Sequence, residues 1–276
     1  MMRIDAHQHY WAIARGDYGW MGPAVAPIVR DFGPADLAPH LAAGGIAATV
    51  LVQAADTVAE TEYMLSLADA EPSIAAVVGW VDLEAADATE TLARLARHPK
   101  LRGIRPMLQD IADTFWVLRP AVLETLALLQ GLGLSFDALI QPRHLPVIAA
   151  LADRLPGLAI VVDHGAKPFI AKGELEPWAA DIAALARRAH VCCKLSGLVT
   201  EAGDDWSAPR LASYVATLLA AFGPDRLMFG SDWPVVNLAG GYDAWLATAE
   251  ALTAGLSETE RAAVFGGTAA RFYRIG

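Results

Sequence analysis

Short apolar runs rich in β-formers recur eight times along the chain, separated by longer Ala- and Leu-rich stretches with helical spacing, and no other feature restricts the fold as strongly. Strands separated by helix-length connections pair in parallel, because a crossover of that length returns the chain to the edge it started from. The runs are 3–7, 47–53, 75–81, 102–106, 134–137, 158–164, 191–196 and 226–232. Helical spacing is read over 57–70, 86–97, 120–132, 145–155, 177–189 and 208–222, with 257–265 closing the pattern. Eight such units predict an α/β fold, a single (β/α)8 barrel of the TIM type, for which about 250 residues are ordinary. An open doubly wound sheet ranks second, since no G-x-G-x-x-G or G-x-x-x-x-G-K loop opens a helix. No linker or low-complexity tract interrupts the pattern, so 1–276 is read as one barrel domain.

Composition narrows the partners. Hydrophobic residues make up 55% and charged residues 19%, enough apolar material for a large core. A formal net charge of −10 argues against a nucleic-acid or anionic-membrane partner, which needs clustered Lys and Arg. No leader-like or membrane-spanning apolar run is read, so the cytoplasm is the expected location. Cys192 and Cys193 are adjacent in an apolar run and are read as inert buried thiols.

The chemistry-bearing residues gather at the predicted strand ends. His7 and His9 leave the first strand two residues apart, hence on one side, and can face one metal. Barrel closure lays the last strand about 4.8 Å from the first, which brings Asp232 of Gly230-Ser231-Asp232-Trp233-Pro234 to both imidazoles as a ligand or a proton acceptor. His164 ends the sixth strand as a ligand, an acid or a substrate contact, with a wall histidine as the structural alternative. Arg105 ends the fourth, where it can grip a substrate oxygen or form a structural salt bridge. Lys194 is a lone charge in an apolar strand, for which substrate binding and a structural ion pair are equally open. The segment 11–32 reads as a loop over the barrel mouth, from which Trp11, Tyr18 and Trp20 can line a pocket or pin the loop by packing. His40, His98 and His190 fall on helices or helix ends without a second ligand.

With Asp5-Ala6-His7-Gln8-His9, Gly103-Ile104-Arg105, Leu134-Ser135-Phe136-Asp137, Asp163-His164-Gly165-Ala166-Lys167-Pro168, Lys194-Leu195-Ser196-Gly197 and Gly230 to Pro234 in order, the chain resembles the amidohydrolase superfamily and, within it, the lactonase-like group. The resemblance implies hydrolysis of a small-molecule cyclic ester. Asp232 would be the general base, His7, His9 and His164 would surround the reacting carbonyl, and Arg105, Lys194, Trp11 and Trp233 would contact substrate. It also implies one divalent ion, zinc first, on His7, His9 and Asp232 with His164 beside them. Arg105 and Ser135 to Asp137 stand where relatives with two metals carry a lysine and a histidine, so a second metal is not expected. A sugar-acid lactone such as L-fucono-, L-rhamnono- or L-galactonolactone is the expected substrate, with a pyrone-dicarboxylate lactonase or a metal-dependent decarboxylase as alternatives.

Overall fold

In a computed structural model that describes residues 2–276, eight parallel strands follow one another in sequence order around one sheet. They are β1 (Ile4–Gln8), β2 (Ala48–Val52), β3 (Ile74–Gly79), β4 (Leu101–Ile104), β5 (Ser135–Ala138), β6 (Ile160–Val162), β7 (Val191–Leu195) and β8 (Leu227–Phe229). Backbone bonds Asp232 N–H to His7 O (2.8 Å) and His9 N–H to Trp233 O (2.7 Å) draw the segment after β8 onto β1. The barrel is thereby nearly closed, and the open-sheet alternative falls.

Helices α1 (Pro34–Gly44), α2 (Val58–Ala70), α3 (Ala88–Leu95), α4 (Pro120–Leu132), α5 (Leu145–Arg154), α6 (Trp178–Ala186), α7 (Ala208–Phe222) and α8 (Tyr242–Leu252) surround the strands, and Glu258–Ala262 (α9) and Thr268–Tyr273 (α10) end the chain. α1 and α8 lie outside the segments read from periodicity. Alanines blur the apolar stripe in both, and Pro39 interrupts α1, although Pro34 at its start and Asp36 bonding back to Gly33 N–H (3.0 Å) are ordinary helix-opening signals. Strands β6 and β8 are shorter than the apolar runs that foretold them; their polar ends, 163–164 and 230–232, leave the sheet as loops.

Strand side chains divide between two apolar clusters. Val77, Ile104, Phe136, Ile160, Val162, Cys193 and Leu195 pack in the larger one with helix residues such as Leu126, Ile148 and Leu218. Ile4, Ala6, Ala48, Val50, Val52, Ala76, Val78, Val161 and Met228 form the other, together with Tyr273 of the last helix. None of these is accessible beyond a few per cent, the pattern of a sheet covered on both faces. Both cysteines are free thiols, Cys193 buried and Cys192 largely so, and burial pushes Cys192 up to about 11, which agrees with an inert role. Among the described residues no helix is long and apolar enough to cross a membrane.

Two buried carboxyls organise the end of the barrel at which the strands finish. Asp5 accepts from His7 N–H (3.1 Å) and Ser231 N–H (2.8 Å), pinning β1 to the segment after β8; burial nonetheless lifts it to about 6. Glu60 of α2 accepts from Ala54 N–H (3.0 Å) and Ala55 N–H (2.6 Å), fixing the loop after β2. Burial outweighs those bonds and pushes Glu60 up to about 7. A carboxyl raised in the folded state costs stability as pH rises from its unfolded value, near 4.5, to its folded one. Comparing urea unfolding of the parent chain with Glu60→Gln, the parent should lose about 2 kcal/mol relative to the variant between pH 5 and pH 8. A pH-independent difference would remove Glu60 as the source.

Candidate active site

The site grows from β1. The pairing of β1 with β2 shifts register between Asp5 and Gln8, an irregularity of the kind that re-aims side chains next to active sites. Asp5 accordingly serves the Ser231 backbone, while His7 and His9 meet edge to face, with Nε2 atoms 3.2 Å apart. Space for this is made by Gly230, where a methyl group would stand 2.7 Å from His7 Cβ.

Asp232 joins them from the other end of the chain. Its Oδ1 lies 3.2 Å from His9 Nε2, 3.6 Å from His7 Nε2 and 3.8 Å from His164 Nε2. Burial alone would raise this carboxyl, but His164, His9 and His7 outweigh it and hold it below the usual carboxylate range. Asp232 also sits at φ 60, in the left-handed region that non-glycine residues rarely use.

His164 stands on a sharper device. His164, Gly165, Ala166 and Lys167 all have left-handed backbones, with φ of 55, 57, 65 and 52. Each non-glycine residue there costs roughly 1–2 kcal/mol, so the turn persists only because its surroundings over-determine it. Lys167 N–H bonds to His164 O (2.9 Å), Trp178 Nε1 donates to Gly165 O (2.7 Å), and His164 Nδ1 meets Ser196 Oγ (2.8 Å). Gly197, at φ 62, lets that histidine approach, since a methyl group there would fall 2.5 Å from Nδ1. Burial pulls the His164 imidazole down to about 4.

Beneath the imidazoles runs a layer of buried charge. Lys194 Nζ lies 2.7 Å from Asp137 Oδ2, 2.9 Å from Asp163 Oδ1 and 3.2 Å from His7 Nδ1, and Tyr273 donates to Asp137 at 2.5 Å. Arg105 Nη1 adds a contact to Asp163 Oδ2 at 3.2 Å, and Nη2 is held by the carbonyl and the side-chain oxygen of Gln53. Burial would raise Asp163, but Lys194, His7 and Arg105 overcome it and keep the carboxylate ionised; Asp137, also desolvated and sharing Lys194 with Asp163, goes up instead. His7, desolvated and beside Lys194, is held well below its ordinary value and is a neutral imidazole.

Over this floor opens a cavity of about 250 Å³, walled by His9, Trp11, Trp20, Arg105, His164, Lys167 and Asp232 with Met107, Leu139 and Val235. A larger hollow of about 420 Å³ adjoins it beyond Trp20 and Met107, but its polar lining is the four carboxylates Asp17, Asp56, Asp82 and Asp110, without an imidazole. The chemistry therefore belongs in the smaller cavity. The loop over it is tied at its base by paired backbone bonds between Trp11 and Phe32 (3.0 Å each), and the Trp20 indole bonds Ala54 O (2.7 Å). Trp11 and Trp20 thus both pin the loop and face the cavity, whereas Tyr18 only packs.

Of the eight residues to which the resemblance gives a metal, catalytic or substrate role, six line or floor this cavity and two do not. Lys194 is wholly buried below His7 with its ammonium among Asp137, Asp163 and His7, so the ion-pair reading describes its surroundings and the substrate-contact reading does not. Trp233 is buried against Tyr10 and Phe32, behind the wall. Arg105 combines a place in the wall with the salt bridge to Asp163. Asp137, Asp163 and Tyr273 went unassigned in sequence, where only the adjacency of Asp163 to His164 in the motif hinted at any of them, whereas Lys167 is read there as a further cation that can reach the pocket.

Three possible ligand atoms converge at the foot of the cavity. His9 Nδ1 must donate to the Val52 carbonyl (2.7 Å), which leaves its Nε2 lone pair facing Asp232 and His7. The separations among His7 Nε2, His9 Nε2 and Asp232 Oδ1 match the roughly 3.3 Å edge of a tetrahedral zinc site. A second set, His7, Asp163 and His164, fits a cation less well because Asp163 is already neutralised by Lys194 and Arg105.

Residues 4–275 match the amidohydrolase family. The chain is 49% identical to an L-fucono-1,5-lactonase of Burkholderia ambifaria and 42% identical to an L-fucono-1,5-lactonase of Burkholderia multivorans, in each case over 99% of this chain and 96% of the relative. A crystal structure of an amidohydrolase from Burkholderia multivorans with bound zinc superposes with a TM-score of 0.95 at 41% identity, covering 100% of both chains.

Removing Lys194 strands two buried carboxylates. Lys194→Met should lower unfolding free energy by about 3–5 kcal/mol, and adding Asp137→Asn to it should recover part of the loss, as read by urea titration. Equal stability of Lys194→Met and the parent would contradict the buried-charge account.

Proposed function

The chain belongs to the amidohydrolase family, and from that membership we propose that it opens a sugar-acid lactone, L-fucono-1,5-lactone first, to the free hydroxy acid. The observation that carries this reading is one ionised carboxylate, Asp232, within 3.8 Å of three imidazole nitrogens at the foot of a cavity walled by two indoles. Trp11 and Trp20 offer flat apolar faces to the C–H side of a sugar ring, while Arg105 meets its oxygens.

Asp232 takes a proton from water as the water oxygen bonds to the lactone carbonyl carbon. The carbon–ring-oxygen bond then breaks, and Asp232 returns the proton to that oxygen. His164, anchored by Ser196 through Nδ1, turns Nε2 toward the reacting centre and orients the water or the carbonyl. Arg105 Nη1, 3.4 Å from His7 Nε2, places positive charge beside the oxygen that becomes negative. His7 and His9 through Nε2, and Asp232 through Oδ1, would hold one divalent ion, with zinc the first candidate. When bound, it supplies a positive charge that polarises the carbonyl. The whole of 1–276 acts as one catalytic barrel.

Following acid release with a pH indicator across a panel of aldonolactones, the parent should hydrolyse L-fucono-1,5-lactone faster than the spontaneous rate. Asp232→Asn should lose roughly 10²- to 10⁴-fold in turnover with its thermal transition retained. Near-normal turnover in that variant would falsify the role of Asp232, and carbon dioxide release without acid from any lactone would favour a decarboxylase. Dialysis against a chelator should abolish activity and added zinc restore it, while His9→Ala should lose zinc by elemental analysis; a zinc-free parent of undiminished rate would overturn the metal assignment.

A further inference from the structure

Lys167 shares the left-handed turn with His164 and lines the same cavity as His164 and Asp232. Of the other cations, Lys194 is committed to Asp137 and Asp163, and Arg105 shares its guanidinium with Asp163 and Gln53. Lys167 differs. The carboxylate nearest its Nζ is Glu201 Oε1 at 3.6 Å, beyond hydrogen-bonding distance, and both side chains remain about a quarter exposed, at 24% and 28%. Its three N–H donors are thus available to a ligand.

The reaction calls for such a group. A neutral ring ester becomes a carboxylate and a hydroxyl: the water oxygen joins the acyl carbon, the bond from that carbon to the ring oxygen breaks, one water proton ends on the ring oxygen and the other passes to solvent. The new negative charge arises beside Asp232. We propose that Lys167 binds the carboxylate that ring opening creates, and that Glu201 holds the ammonium in place while the cavity is empty. This rests on the lactonase reading. A bare surface pair at 3.6 Å would contribute little and would give no reason for a lysine in left-handed backbone next to His164.

Inhibition of lactone hydrolysis by the open aldonate tests it, with the corresponding alditol as the uncharged control. Lys167→Met should weaken aldonate inhibition by about tenfold to a hundredfold, the loss expected for one hydrogen bond to a charged group, and leave the alditol unaffected. Lys167→Arg should restore most of it. Glu201→Gln, which removes the competing carboxylate, should tighten aldonate inhibition several-fold. A purely structural pair predicts parallel losses in Lys167→Met and Glu201→Gln, shared by aldonate and alditol, and that result overturns the proposal. If Lys167→Met does not fold, Glu201→Gln decides alone: unchanged or weaker aldonate inhibition refutes it. Should the parent hydrolyse no lactone, the failure lies with the reading of function, and aldonate binding by calorimetry to the parent and Glu201→Gln still tests the Lys167 site.

Discussion

Two backbone hydrogen bonds, Asp232 N–H to His7 O and His9 N–H to Trp233 O, hold together segments more than two hundred residues apart. They draw the barrel nearly closed, and the groups they join are those that carry the site. Because the same peptide units both complete the ladder and bear the imidazoles and the carboxylate, the geometry of the triad is set by backbone rather than by side-chain flexibility. Asp5 reinforces the seam by accepting from both sides of it, at the cost of burying a carboxyl whose ionisation becomes harder. That residue looks like part of a ligand motif in the sequence, yet its Oδ1 is taken by backbone amides.

The layer under the site solves a different problem. Neutral imidazoles are useful as ligands and as hydrogen-bond partners, but the buried Asp163 carboxylate beneath them stays ionised only with positive charge near by. Lys194 provides it from below and Arg105 from the wall, Lys194 pairing also with Asp137 and Arg105 being held by the neutral Gln53 side chain. Tyr273 completes the layer from the last helix by giving Asp137 a hydrogen bond. The chain terminus thereby takes part in setting the electrostatics of a site built mainly by its first and last strands.

What could be read in advance follows from how local each signal is. Continuous apolar runs announce strands covered on both faces, and the His-x-His and Gly-Ser-Asp segments announce strand ends, because period and position are written within a few residues. Helices α1 and α8 escaped because alanine contributes little contrast between faces. The partners of Lys194 escaped for a stronger reason: Asp137 is 57 residues away, and Tyr273 is 136 residues from Asp137. Only the barrel's inward phase brings them together. Left-handed backbone at His164, Ala166, Lys167 and Asp232 was equally hidden, since none of these is a glycine and no residue pattern demands it.

That concentration of strain and ionised oxygen fits an intramolecular ester better than a cleavage with two departing pieces. In a lactone the leaving oxygen remains tethered beside the carbon just attacked, so the carboxylate that removes the water proton stands where the proton must be returned. One such group suffices. Among the neighbouring acids, Asp163 is spent on Lys194 and Arg105, Asp137 lies in the floor, and Asp110 is exposed at the rim, which leaves Asp232 as the carboxylate poised among the imidazoles. The left-handed backbone at Asp232 and His164 aims both groups at the same few ångströms of space, and the surrounding hydrogen bonds sustain the strain there.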